Sequence, residues 1–258
     1  MTNAARTRWI VIFTVACVAA AVFLPAMKQP LDYHDFADHR DAFGVHNFLD
    51  VASNIGFLIV GIAGLMLVIS GRARFEFDAE RWPYAVFFVG MVMTAGGSAY
   101  YHLAPDNETL FWDRLPMTVA FMALISSQIV DRINVRAGLA LLVPMLLVGA
   151  GSVIYWRMTE REGAGNVLPY GILQGYSVAV LLLLAVLNPS RYTRGRDLYW
   201  VFAWYVFSKL LETFDAQVLA IAHIVSGHTL KHLAAAAAGG AVYYMLKNRT
   251  LIAAAPAT

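Results

Sequence analysis

The sequence predicts an all-α membrane protein, with a seven-transmembrane-helix bundle core and one additional N-terminal transmembrane helix. Three observations carry that expectation. Of 258 residues, 59% are hydrophobic and only 14% charged, and the mean hydropathy is +0.59; a soluble domain carries about 25% charged residues. The apolar residues fall in blocks close to the ~20 that a helix needs to cross a bilayer. No linker, low-complexity tract or long charge block divides the chain. Residues 1–30 therefore read as the extra helix, 31–250 as the core and 251–258 as a C-terminal tail.

Eight spans are expected, at roughly 8–26, 47–70, 83–104, 109–131, 136–156, 167–187, 197–217 and 227–246. The first follows Arg6 and Arg8 but is longer than a signal core, and AVFLPAMKQP is a poor cleavage site, so it reads as a retained helix. It holds the only cysteine, Cys17, which has no internal disulfide partner. An acidic stretch, DYHDFADHRD, precedes the second span, NFLDVASNIGFLIVG. The third ends in GGSAYYHLAPDNE and the fourth begins in FWDRLP. In the sixth, Gln174 and Tyr176 are candidates to line a cavity. Trp82, Tyr155 and Trp156 at span ends read as interface anchors. The seventh contains FSKLLETFDAQ, in which Lys209 and Glu212 are three apart and can pair on one face. That pair reads as a lock between helices, and Asp215 as either structural or supporting a site. The eighth opens with SGHTLKHL, and Ala234 to Gly240 reads as a close-packing face.

Basic residues alternate along the connections. Twelve Lys and Arg fall at the N-terminus, near 71–82, near 132–136, near 191–196 and at the C-terminus, against four in the other loops. By the positive-inside rule both termini face the cytoplasm, which an even number of spans also requires. Net charge of +2, with neither a basic stripe nor a Gly-rich phosphate loop, points to no nucleic-acid partner.

On that orientation the unusual polar residues converge on the external face: Ser98 and His102 at the end of the third span, Asp113 at the start of the fourth, His228 and His232 at the start of the eighth. Ser98 and His102 are four apart and share a helical face, as do His228 and His232. Two histidines at that spacing can hold one metal ion from one helix, and His102 supplies a third imidazole. Three protein ligands with an open position is the arrangement of hydrolytic zinc, which lowers the pKa of water towards ~7. Asp113 can then take the proton of that water, and Ser98 can donate to an oxyanion. Any one of these histidines is more often an interfacial or hydrogen-bonded residue, and heme and quinone sites use similar pairs. Ser98 with Gly96 and Gly97 also fits close helix packing, and Asp113 fits an ion pair with Arg114.

The set Ser98-x-x-x-His102, Asp113 and His228-x-x-x-His232 resembles the CREST superfamily of membrane hydrolases, and GGSAYYH, FWDRLPM and SGHTLKHL are most similar to its alkaline ceramidase branch, in particular the bacterial members. The likeness runs from about residue 32 to residue 247, with NFLDVASNIGFLIVG resembling the first core helix. It implies zinc at His102, His228 and His232, water activation by Asp113, oxyanion stabilisation by Ser98, and cleavage of ceramide to sphingoid base and fatty acid. It also implies calcium beside the zinc, for which Asp32, Asp35, Asn47 and Asp50 are the candidate oxygen ligands; Asn47 stands where that family has an acidic residue. The implied location is a bacterial inner membrane, with the site towards the periplasm and a membrane lipid as partner. Relatives in the superfamily include receptor-like proteins and lipid remodellers, which form the alternative expectation, followed by a heme or quinone protein using His228 and His232.

Overall fold

The computed structural model describes residues 3–252; the tail from 253 onward lies outside them. Helix α1 (Asn3–Phe23) is followed by a loop with a single 3-10 turn at Leu31–His34, then by a short α2 (Phe48–Ala52) and α3 (Ile55–Ile69). After these come α4 (Arg81–Leu103), α5 (Asn107–Arg132), α6 (Val135–Arg161), α7 (Leu168–Leu187), α8 (Leu198–Thr213), α9 (Asp215–Ala222) and α10 (Gly227–Asn248). The described residues contain no β-strand, only isolated bridges at Ala42–Val45 and Tyr192–Leu251.

The helix starts follow local chemistry. Asp106 accepts from Thr109 N at 2.6 Å while Thr109 Oγ1 accepts from Asp106 N, a capping box that opens α5. Asn134 caps α6 through Ala137 N, and Ser226 caps α10 through Thr229 N at 3.0 Å. Helix α5 tolerates Pro116 and α6 tolerates Pro144 in their interiors.

Helices α3, α4, α5, α6, α7, α8 and α10 pack in that order around a ring, which α10 closes against α3. Helix α1 stands outside and packs on α7, where Phe13 stacks on Tyr176 and the Thr14 hydroxyl meets the Tyr176 hydroxyl at 3.1 Å. The segments Ala4–Phe23, Phe48–Ile69, Val135–Arg161 and Leu168–Leu187 are long and apolar enough to cross a membrane. Helices α4, α5 and α10 are as long. The seventh expected span is not one helix: it breaks at Phe214, leaving α8 with 16 residues. At 1.5 Å per residue that is ~24 Å, short of a ~30 Å hydrocarbon core.

Small residues set the closest approaches, as they do where lipid removes the hydrophobic drive between helices. On α10, Ala234, Ala236 and Ala238 are buried, and a Cβ on Gly239 would lie 2.3 Å from Met91. On α4, a Cβ on Gly97 would lie 1.9 Å from the Trp112 carbonyl oxygen, so α4 and α5 touch through backbone there.

The two ends of the ring differ. One gathers the basic loops. Arg249 is fully buried, donates to Asp131 Oδ2 at 2.6 Å and lies 4.0 Å from the Tyr192 ring centroid. Arg132 donates to the carbonyls of Asn188 and Gly195, and Arg191 to Glu80. The other end carries the 31–46 loop. There Glu108, outside the expected span, binds Arg157 and Arg161, and their guanidiniums pull its carboxyl down to about 2. Trp156, expected at the interface, is fully buried under the Arg114 guanidinium, 4.5 Å from the ring centroid. Trp82 and Tyr155 are exposed.

Candidate metal site

The histidine pair on α10 comes from the first two turns after Ser226, where residues four apart share a face. His102 comes from the last turn of α4. The ring brings both helix ends to the same place. The rings of His102 and His228 are 4.8 Å apart by centroid, His102 and His232 4.9 Å, and His228 and His232 5.1 Å. One nitrogen from each lies within 4.8 Å of the other two. All three residues are buried, at 1%, 5% and 4% exposure. Among the described residues they form the single group of His, Cys, Asp or Glu ligands close enough to share an ion. Three buried histidines so arranged can hold a metal ion.

The hydrogen bonding fits that use. His102 Nδ1 and His228 Nε2 have no hydrogen-bond partner in the protein, and a buried unpaired nitrogen costs on the order of 1–3 kcal/mol. His232 Nδ1 shares a 2.8 Å bond with the Ser53 hydroxyl, which donates onward to the Asp50 carbonyl at 3.1 Å. With its proton on Nδ1, His232 leaves Nε2 as a free ligand atom. Phe36 closes the outer side, with its ring centroid 4.7 Å from His102 and 4.4 Å from His228.

Asp113 and Ser98 both line the cavity that also contains His232, and Ser98 is within hydrogen-bonding reach of the Asp113 carboxylate. The alternative partner of Asp113 is engaged elsewhere: Arg114 donates to Gln29 Oε1 at 2.6 Å and sits between the Trp156 and Tyr170 rings. The five residues singled out in the sequence therefore meet at one end of the bundle. The cavity continues down the middle of the ring between α4, α5, α7, α8 and α10. It reaches from Glu212 to Tyr199, thirteen residues along α8 or ~20 Å, and its walls below the polar end are mostly apolar. Gln174 lines it and donates to the Tyr205 hydroxyl, whereas Tyr176 turns outward to α1.

The four expected calcium ligands are divided. Asp32 and Asp35 are exposed on the outer loop, and Asp35 faces His39 at 3.4 Å. Asn47 and Asp50 are buried: Asn47 Nδ2 donates to the His102 carbonyl at 3.0 Å, and Asp50 Oδ1 accepts from the Thr229 hydroxyl at 2.6 Å. Asp50 is drawn against α10 while the two outer carboxylates stay in solvent, so these three carboxylates do not gather at one point.

Asp215 works on backbone. One oxygen accepts from His228 N at 2.6 Å and the other from Ala37 N at 2.9 Å, tying the start of α10 to the outer loop. Lys209 and Glu212 pair as expected, but Glu212 also accepts from Lys231 at 2.7 Å. Ser53 and Phe36 carry no mark in the sequence that separates them from ordinary loop or helix residues. Only the His-x-x-Lys-His wording placed Lys231 near the site. No family model matches the chain, and none of the curated proteins matches it.

Proposed function

We propose that this chain is a membrane-embedded, zinc-dependent hydrolase of amide lipids, of the alkaline ceramidase kind that its motifs resemble. The three buried histidines converging on one point carry the reading. His102, His228 and His232 would hold the zinc ion. When bound, it supplies Lewis-acid polarisation of a carbonyl and a lowered pKa for water. Asp113 accepts the proton of the attacking water and passes it to the departing amine nitrogen. The Ser98 hydroxyl donates to the oxygen that gains charge as the amide carbon becomes tetrahedral. Ser53 holds the His232 ring in its tautomer, and Phe36 keeps bulk water from the outer side. The long apolar cavity receives the acyl chain without wetting it.

On this reading α1, α3, α4, α5, α6, α7 and α10 lie across the bilayer, with α8 and α9 together making the remaining crossing, the basic end is cytoplasmic and the histidine end is external. Three imidazoles aimed at one point suit a compact ion rather than a planar macrocycle, so the purified protein is expected to be colourless, without a Soret band. The deciding experiment measures zinc by elemental analysis and hydrolysis of a long-chain ceramide in neutral detergent. About one zinc per chain is expected in the parent protein, lost in His228→Ala together with turnover; Asp113→Asn keeps the metal and loses ~10²–10⁴ in rate. Turnover that survives metal removal sinks the proposal.

A further inference from the structure

The motifs leave one charged cluster in the cavity without a task. Lys231 precedes His232 on α10, and its side chain is only 16% exposed. Its ammonium donates to Glu212 Oε1 at 2.7 Å, while Glu212 Oε2 accepts from Lys209. All three side chains line the same cavity end as Ser98, Asp113 and His232. Both carboxylate oxygens of Glu212 are thus used. Each ammonium has three donors and finds one acceptor among the described residues; Lys231 is the interior one, whereas the Lys209 side chain is 47% exposed at the cavity rim.

An ammonium in a bundle interior is costly and marks a task more often than not. A lock between α8 and α10 would need only one lysine for one glutamate; here there are two, and the cluster carries a net positive charge. Asp113 offsets that charge within the cavity, but under the proposed function its oxygens serve water, and the zinc ion with three neutral imidazoles adds positive charge. A neutral amide lipid offers hydroxyls and no anion to this end of the cavity. A lipid with an oxyanion close to its amide offers the complement, through charge-assisted hydrogen bonds.

We propose that Lys231 and Lys209, bridged by Glu212, form an oxyanion subsite that selects amide lipids bearing a carboxylate next to the amide, as in an N-acyl amino acid. The subsite rests on the proposed function for its metal neighbour, but not for its own test, which reads binding alone. A free fatty acid presents the same carboxylate, and the competitors separate the two sources.

The experiment uses the full-length, zinc-loaded Asp113→Asn protein in neutral detergent micelles, so that intact amides survive. Radiolabelled N-palmitoylglycine is bound and displaced by unlabelled N-palmitoylglycine, N-palmitoylethanolamine or palmitate. The acidic amide is expected to bind about tenfold more tightly than the neutral one, a difference of ~1.4 kcal/mol. Lys231→Met should bring the two to near equality, Lys231→Arg should keep the preference, and Lys209→Met should reduce it. If palmitate competes as well as N-palmitoylglycine and is weakened equally by Lys231→Met, the subsite stands and its carboxylate belongs to the acid product. Equal binding of acidic and neutral amides in the Lys231 protein overturns the proposal without any further variant having to fold, as does a preference that persists in Lys231→Met. A protein that shows the preference yet hydrolyses nothing would retain the subsite and lose the hydrolase reading.

Discussion

His232 shows how much of a ligand's behaviour is decided by a residue far away in the chain. Its ring is oriented by Ser53, 179 positions earlier, through a single 2.8 Å bond. Outer partners of this kind fix tautomer and aim, and their loss typically weakens metal affinity by ~10–100-fold. Ser53→Ala is therefore expected to lower zinc affinity by that factor while leaving the helical content unchanged, as measured by competition with a chromophoric chelator and by circular dichroism. An affinity within twofold of the parent would remove Ser53 from the site. The three histidines, Ser98 and Asp113 could be read from the chain because each sits at a helix end, where four-residue spacing and convergence on one face are visible in one dimension. Ser53 and Phe36 could not, because a serine or phenylalanine near a span end has no distinguishing pattern until the fold lays it against an imidazole. Trp156 differs from its expectation for the converse reason: its place at the end of an apolar run looks interfacial, and its burial comes from Phe111, Val153 and Tyr170 packing around it together with the approach of Arg114.

Helices α4 and α5 hold Ser98 and His102 opposite Asp113, and what sets their separation is Gly97. A Cβ there would meet the Trp112 carbonyl oxygen at 1.9 Å, and backbone cannot yield as a side chain can. Gly96, its neighbour, has open space where its Cβ would be. Gly97→Ala is expected to push the two helices apart at the cavity's polar end and to cut turnover and thermal stability together, with overpacking of this kind costing ~1–3 kcal/mol. Gly96→Ala should be neutral or slightly stabilising, since alanine is the better helix former by about 1 kcal/mol. Parallel melting curves and rates for the two variants check this; equal behaviour would show that the contact does not set the spacing. Helix positions were largely visible as apolar blocks between loops. The break at Phe214 was not, because FSKLLETFDAQVLAIA lacks the Gly or Pro that would mark a helix end. The chain turns there under tertiary control: Asp215 is held by His228 N and Ala37 N, two backbone groups that no local pattern reveals.

Across the whole molecule, the histidine cluster and the buried arginine fastening sit at opposite ends of the ring. The alternating Lys and Arg foretold two unlike ends, but not that several arginines would turn inward. Arg249 leaves the end of α10, enters a cage of Phe75, Tyr84 and Tyr192, and pairs with Asp131, which also accepts from the Tyr84 hydroxyl at 2.7 Å. The side chains of the ion pair are 0% and 2% exposed. Removing one partner of such a pair strands the other charge and costs about 3–5 kcal/mol, whereas replacing both by apolar residues of similar size is often neutral. Arg249→Ala should therefore lower the melting temperature sharply, and Asp131→Leu with Arg249→Met should recover most of the loss. Because α10 runs from this clasp to His228 and His232, its role in the metal site can be separated from its role in stability. If the clasp only fastens the helix end, the folded fraction of Arg249→Ala binds zinc with parental affinity below its melting temperature. If it also sets the axial position of α10, zinc affinity falls in Arg249→Ala and returns in the double variant. The backbone bond from His228 N to Asp215 already fixes α10 at its metal end, and the close contact of Gly227 with the Leu211 carbonyl oxygen, 2.1 Å from a Cβ placed there, leaves little room for the helix to slide. The first outcome is the expected one, read by chelator competition on the variants at a temperature where circular dichroism shows them folded.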